Sequence, residues 1–264
     1  MILKTILISV LLSIILKYMP SDKVIKLSGK PEIFATDNLG NCYIYRENLL
    51  EKISDQGKII ASYSSYDSGK LSAIDSSDPM QLLLFYKDFN QIVLLDSKLN
   101  QIGKALSLDL LDLSSVSAVC KSKFFAVWIF DEYQEKLIHY GFNPLGILIS
   151  INLNNYKKEL GNVEYMVESG NEIFLKGKGN NIWVFDQFGK LVNKVNLKIE
   201  NEFQLKNNTI VYAFKNKVVL YNLQDGIADT IQVKGFNSFD KVHIENNQLY
   251  VLNQDSIKIM AMEK

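Results

Sequence analysis

The sequence predicts an all-β chain, a six-bladed β-propeller closed by an N-terminal strand and preceded by a signal or anchor helix. Three observations predict it. First, from residue 23 onward the apolar residues alternate with period two over short runs, such as Leu82–Tyr86 (LLLFY), Phe124–Phe130 (FFAVWIF) and Leu249–Leu252 (LYVL). Side chains on a strand alternate between its faces, so this period marks strands. Second, clusters of Asn, Gly, Asp and Ser separate the runs, and these residues tolerate the backbone of hairpin turns. Third, one local pattern recurs at the spacing of a four-stranded propeller blade.

That pattern is an apolar strand, a turn residue four positions on, and a Gly or Asn a few positions further. Its leading residues are Leu50, Ile92, Leu137, Ile182, Val218 and Ile257, which stand 42, 45, 45, 36 and 39 apart. The turn residues are Ser54, Asp96, Gly141, Asp186 and Asn222, and the sixth copy is truncated at Met260. In each copy a strand ending in a polar turn comes first, then a second strand, then the repeated pattern, then a fourth strand after the glycine turn. Lys157 to Leu160 is read as one helical turn within a loop.

The last copy stops after its third strand, at the chain end. Lys23–Leu27 (KVIKL) stands before Pro31 as Thr230–Lys234 stands before Lys241, so it is expected to supply the missing strand. Such a closure removes the two free sheet edges that invite unwanted pairing. At matching positions of the six first strands stand Ala35, Ala73, Ala118, Met166, Gln204 and His243. Small side chains suit strands crowded around a propeller axis.

The chain start reads Met1-Ile-Leu-Lys4, an apolar run from Thr5 to Leu16, and then Lys17. A charged start followed by a short apolar run is the layout of a secretory signal. Twelve helical residues reach only about 18 Å, short of a ~30 Å bilayer core. Counted from Met1 to Met19, with both lysines snorkelling, the segment can also serve as an anchor. No small-x-small cleavage site follows it. Residues 1–20 are therefore expected to be a signal peptide or N-terminal membrane anchor, and residues 23–264 a propeller domain. The chain is expected to be exported, to the periplasm or an outer-membrane association, with membrane contact through residues 1–20. Cys42 and Cys120 lie in apolar strand runs and read as small buried core residues, although an exported chain with two cysteines can form a disulfide.

The segments Gly40-Asn-Cys-Tyr-Ile44, with Leu50 and Asp55-Gln-Gly57-Lys58 behind them, resemble NHL-type propeller repeats. So does Asn181-Ile-Trp-Val-Phe-Asp186-Gln-Phe-Gly189. Those repeats read G-N-x-Y-V, then I-x-x-F-D-x-x-G-x. The resemblance covers roughly residues 24 to 262 and is weakest where Gly141-Phe-Asn-Pro-Leu-Gly146 replaces the acidic turn. Lysine-, asparagine- and isoleucine-rich usage also resembles exported propellers of the Bacteroidota. The resemblance implies a fold and not an activity.

Chemistry is scarce in these residues. With 29 basic and 29 acidic side chains the chain is neutral, which removes the basic face of a nucleic-acid binder. A single arginine, Arg46, cannot build the three-arginine carboxylate grip of sialidase-like propellers. His139 sits in a third strand and reads as structural, whereas His243 lies on an inner strand near the axis. Calcium-dependent lactonase-type propellers use acidic and amide residues at the channel mouth. Glu32, Glu164 and Glu202 precede inner strands of blades one, four and five and are candidates for such a rim, with His243. No nucleophile elbow, phosphate loop or metal-spaced Cys/His set is present. The expected function is a non-enzymatic binding or scaffold protein of the cell envelope with a protein partner, no nucleic acid and no cofactor. The alternative is a divalent-metal-dependent, lactonase-like hydrolase acting through Glu32, Glu164, Glu202 and His243.

Overall fold

In the computed structural model, which describes residues 22–65 and 68–262, the period-two runs become strands. The segment read as signal or anchor, residues 1–20, lies outside the described residues. Among those described, 24 strands form six sheets of four strands each. Blade one holds β2 (Ile33–Thr36), β3 (Cys42–Arg46), β4 (Leu49–Ile53) and β5 (Ile59–Ser64). Blade two holds β6 (Ala73–Asp75), β7 (Gln81–Tyr86), β8 (Gln91–Asp96) and β9 (Leu106–Ser107). Blade three holds β10 (Val116–Ser122), β11 (Ala126–Asp131), β12 (Lys136–Phe142) and β13 (Leu145–Asn152).

In blade four these are β14 (Tyr165–Ser169), β15 (Glu172–Lys176), β16 (Asn181–Asp186) and β17 (Leu191–Asn196). Blade five is β18 (Gln204–Lys206), β19 (Thr209–Phe214), β20 (Lys217–Asn222) and β21 (Ala228–Gln232). Blade six combines β22 (Lys241–Glu245), β23 (Gln248–Asn253) and β24 (Ser256–Ala261) with β1 (Lys23–Lys26) from the other end of the chain. One α-helical turn, α1 (Lys157–Leu160), sits between blades three and four.

The six leading residues of the repeat each occupy the second position of a third strand, and all six are buried. The turn that follows has a local cause. Asp96 Oδ1 accepts from the N–H groups of Lys98 and Asn100, and Asp186 Oδ1 accepts from those of Phe188 and Lys190. Such side-chain capture mimics a backbone turn, which explains the preference for Asp, Asn and Ser there. The glycine that follows is needed twice over. Gly189 has φ +84°, and a Cβ there would lie 2.2 Å from Cγ2 of Ile151 in the outer strand of the preceding blade.

Period two places alternate side chains of each blade against different neighbours. Ile182 and Val184 pack with Ile210 and Tyr212 of blade five, while Trp183 and Phe185 pack with Trp128 and Phe130 of blade three. The buried side chains accordingly form six apolar clusters, one at each blade-to-blade interface. In the last interface β1 runs antiparallel to β24, with Lys23 opposite Ile259 and Lys26 opposite Ser256. Its buried side chain, Ile25, joins Phe34, Cys42 and Ile53 of blade one with Ile257 and Ile259. Burying such a side chain contributes about 1.5–3 kcal/mol. Among the described residues no helix is long and apolar enough to cross a membrane.

Candidate functional site

The inner strands β2, β6, β10, β14, β18 and β22 surround the axis. They all begin on one face, the entry face, and end on the other, the exit face. Between them runs a channel cavity of about 200 Å³ lined by both polar and apolar side chains. The column read from the sequence lies on these strands, and Ala35, Ala73, Met166, Gln204 and His243 line the cavity.

His243 is the channel's histidine. Its Nδ1 lies 3.0 Å from the Thr36 hydroxyl, and its ring stacks on Phe34 with centroids 5.3 Å apart. Burial, reinforced by the positive charges of Lys241 and Lys206, lowers its pKa to about 3. Removing a charge from water disfavours the charged form, so the imidazole is neutral at ordinary pH. Tyr165, half-buried in the same channel wall, has its phenol pushed well up, first by desolvation and then by Glu202.

The three glutamates go to different places. Glu202 lines the channel with His243 and pairs with Lys241 Nζ at 2.8 Å. Glu164 pairs with Lys176 at 2.9 Å and lines a separate depression on the entry face with Ser72 and Ser117. Glu32 pairs with Lys70 at 2.6 Å and accepts from the Glu47 N–H at 3.1 Å. Those contacts, led by the Lys70 hydrogen bond, lower its carboxyl pKa. Glu202 and His243 thus share a cavity, and Glu32 and Glu164 stand outside it. Among the described residues no group of three or more His, Cys, Asp or Glu side chains is placed to hold a metal ion.

Four further ionisable residues line the channel: Asp75, Glu168, Lys206 and Glu245. Asp75 accepts from the Lys121 N–H at 2.7 Å. Glu245 is buried, takes a hydrogen bond from Gln204 Nε2 at 2.7 Å and is paired with Lys206. Each stands two positions beyond a member of the inner column: Ala73, Met166, Gln204 and His243. A period-two strand puts positions i and i+2 on one face, so this second ring was open to the same reasoning that found the first. These four residues stand at strand ends, where the polar turn signal of the sequence masks the alternation.

Other candidates are structural. His139 stacks on Trp128 at 4.4 Å, its Nε2 lies 2.9 Å from the Ser122 hydroxyl, and burial lowers its pKa. Cys42 and Cys120 are free and buried, and burial pushes both thiols up.

No protein-family model matches the chain, and no curated protein matches it in sequence. Among solved structures it is similar to a catalytically inactive variant of virginiamycin B lyase from Staphylococcus aureus with quinupristin. That likeness has a TM-score of 0.63 at 12% identity, over 92% of this chain and 100% of the other. BamB from Moraxella catarrhalis gives 0.53 at 10% identity, over 87% and 82%. BBS1N, solved in complex with ARL6DN, gives 0.54 at 10% identity, over 89% and 78%. At these identities the likeness shows the fold alone and no activity; together with the six four-stranded sheets of this chain it defines the class of protein, a six-bladed β-propeller. Both enzymes and members of protein complexes are built on this architecture, as the lyase and BBS1N illustrate.

Proposed function

We propose that this protein is a non-enzymatic binding or scaffold protein of the cell envelope, a protein–protein interaction subunit of an outer-membrane or secretion-related assembly. The observation that carries the reading is the state of the channel's ionisable groups. Glu202 and Glu245 are already paired with lysines, and His243 is held neutral with a pKa near 3. A general base works best with a pKa near the operating pH, and metal-assisted hydrolysis needs converging free ligands. Carboxylates held by lysines and a neutral, weakly basic imidazole are poor bases and poor free ligands. The neighbour solved with a partner protein supports an interaction role on this architecture. The envelope location rests on the apolar run from Thr5 to Leu16, which we read as a signal peptide or membrane anchor. The blades are read as NHL-type and the chain as an exported propeller of the Bacteroidota kind, with β1 as the strand that closes the ring.

The test is affinity purification from native membranes, with the partner identified and then followed in a variant carrying E32Q, E164Q, E202Q and H243A. The scaffold reading expects that variant to keep its partner. A second reading, the divalent-metal-dependent hydrolase, is favoured by one observation: Glu202 and His243 border the same cavity, with Asp75 and Glu168 further along it. Hydrolysis of a lactone or ester, lost in the same variant, would replace the first reading by the second.

A further inference from the structure

The exposed large apolar side chains are unevenly placed. Seven of the 17 among the described residues sit in the exit-face turns or, for Leu145, at the first residue of outer strand β13: Leu39, Met80, Phe124, Phe125, Leu145, Phe188 and Ile227, from five blades. Six more lie within the first four residues of outer strands, which begin at that face, Ile60 of β5 and Leu148 of β13 among them. The entry face holds the remaining four. An apolar collar therefore rims one end of the ring, and its Met80, Phe124 and Phe125 border a single groove, the contiguous arrangement that marks an interaction surface.

Two of its members are held at a conformational cost. Phe124 and Phe125 form the turn between β10 and β11 with φ +58° and +57°. The corresponding turns use Asn207 and Asn208 in blade five and Asn246 and Asn247 in blade six, residues suited to that backbone. Phe124 is nevertheless 93% exposed, so packing does not account for the aromatic ring there. With Met80, Lys121 and Lys123 the pair rims a groove of about 610 Å³. Strain kept at an exposed apolar tip points to a role outside the ring.

The chain path says what that face meets. β1 runs from the exit face to the entry face, and Lys23 bonds to Asp55 in an exit-face turn at 2.9 Å. The apolar run ending at Leu16 is joined to Asp22 by only residues 17 to 21. Five residues span at most about 18 Å, so the run is tethered close to the collar. We propose that the exit face lies against a lipid bilayer, its collar seated among the headgroups. This rests on the reading of residues 1–20 as a retained membrane segment. The turns of that face carry Asp37, Asp55, Asp78, Asp96, Asp186 and Asp225 against Lys58, Lys98, Lys104, Lys123 and Lys190, so its charges are near balance and it lacks the basic surplus that draws proteins to anionic lipid. The lipid it fits is zwitterionic, held through aromatic and aliphatic contact at the interface.

The buried native thiols allow a single introduced cysteine to be labelled. Full-length protein carrying Phe124→Cys, Phe188→Cys or, on the entry face, Tyr133→Cys is labelled with the environment-sensitive NBD fluorophore and reconstituted into phosphatidylcholine vesicles. Positions 124 and 188 should show blue-shifted emission and quenching by brominated phosphatidylcholine, with little response to phosphatidylserine or salt. Position 133 should behave as in water. Phe124→Asn with Phe125→Gly, which relieves the turn, should weaken the quenching at position 188. Vesicle-bound protein in which 124 and 188 are no better protected than 133 overturns the proposal and leaves the anchor standing. Protection in native membranes but not in pure lipid overturns it in favour of a protein partner. Protein that does not float with vesicles overturns both the proposal and the anchor reading.

Discussion

His243 shows how burial decides what a side chain can do. Its folded pKa, about 3, lies below the ordinary histidine value, so between pH 6.5 and about 3 the unfolded chain binds more protons than the folded one. The stability it confers is complete above pH 6.5 and is lost as pH falls toward 3. His243→Gln should flatten that part of the profile, so the gap between its melting temperature and that of the native protein should narrow from pH 7 to pH 5. A gap independent of pH would contradict the neutral ring. Backbone strain gives a second test at this scale. Gly189→Ala should cost at least about 1–2 kcal/mol, because it meets both a positive φ and the Ile151 methyl, whereas Phe124→Asn, at a site that is 93% exposed and has φ +58°, should gain up to about 1 kcal/mol. Thermal melts of the two variants should move in opposite directions. The placement of His243 on an inner strand was legible from the repeat, but its partner Thr36 lies 207 residues away. The lysines that occupy Glu32 and Glu202 were hidden for the same reason: both come from contacts 38 and 39 residues distant, set by tertiary packing.

At the scale of elements, the third strands were the most legible part of the chain. Leu50, Ile92 and their counterparts are buried where the pattern places them because one apolar residue at that register fills each interface. Blade three departs from the pattern for a physical reason: Gly141 stays within β12, and a Cβ there would lie 2.8 Å from the Pro144 carbonyl oxygen. The role assigned to β1 carries its own prediction. Deleting residues 1–28 removes the partner of β24 and uncovers the pocket of Ile25, so the ring should melt well below native protein. Deleting residues 1–20 should leave the melting temperature close to native. Two truncations that melt alike would contradict the closure.

For the whole molecule, architecture and task differ in how far residues reveal them. The repeat spacing leads to six blades because each blade is a local unit of about 40 residues that must bury both faces. The task resides in surface and channel groups whose neighbours come from other blades, and period and spacing do not name those neighbours. The proposed export rests on the apolar run at the chain start, so replacing Leu11 and Leu12 with lysine should hold the protein in the cytoplasm, since each charge costs about 2.5–3.5 kcal/mol at the centre of a translocating helix. Fractionation of cells producing that variant checks it, and unchanged export would count against a signal segment. That a ring whose channel carboxylates Glu202 and Glu245 are held by lysines serves binding and not hydrolysis is tested by metal analysis of the purified full-length protein combined with lactone and ester assays. Neither stoichiometric metal nor turnover is expected. Calcium or zinc at one per chain, with hydrolysis that disappears in the variant carrying E32Q, E164Q, E202Q and H243A, would contradict it.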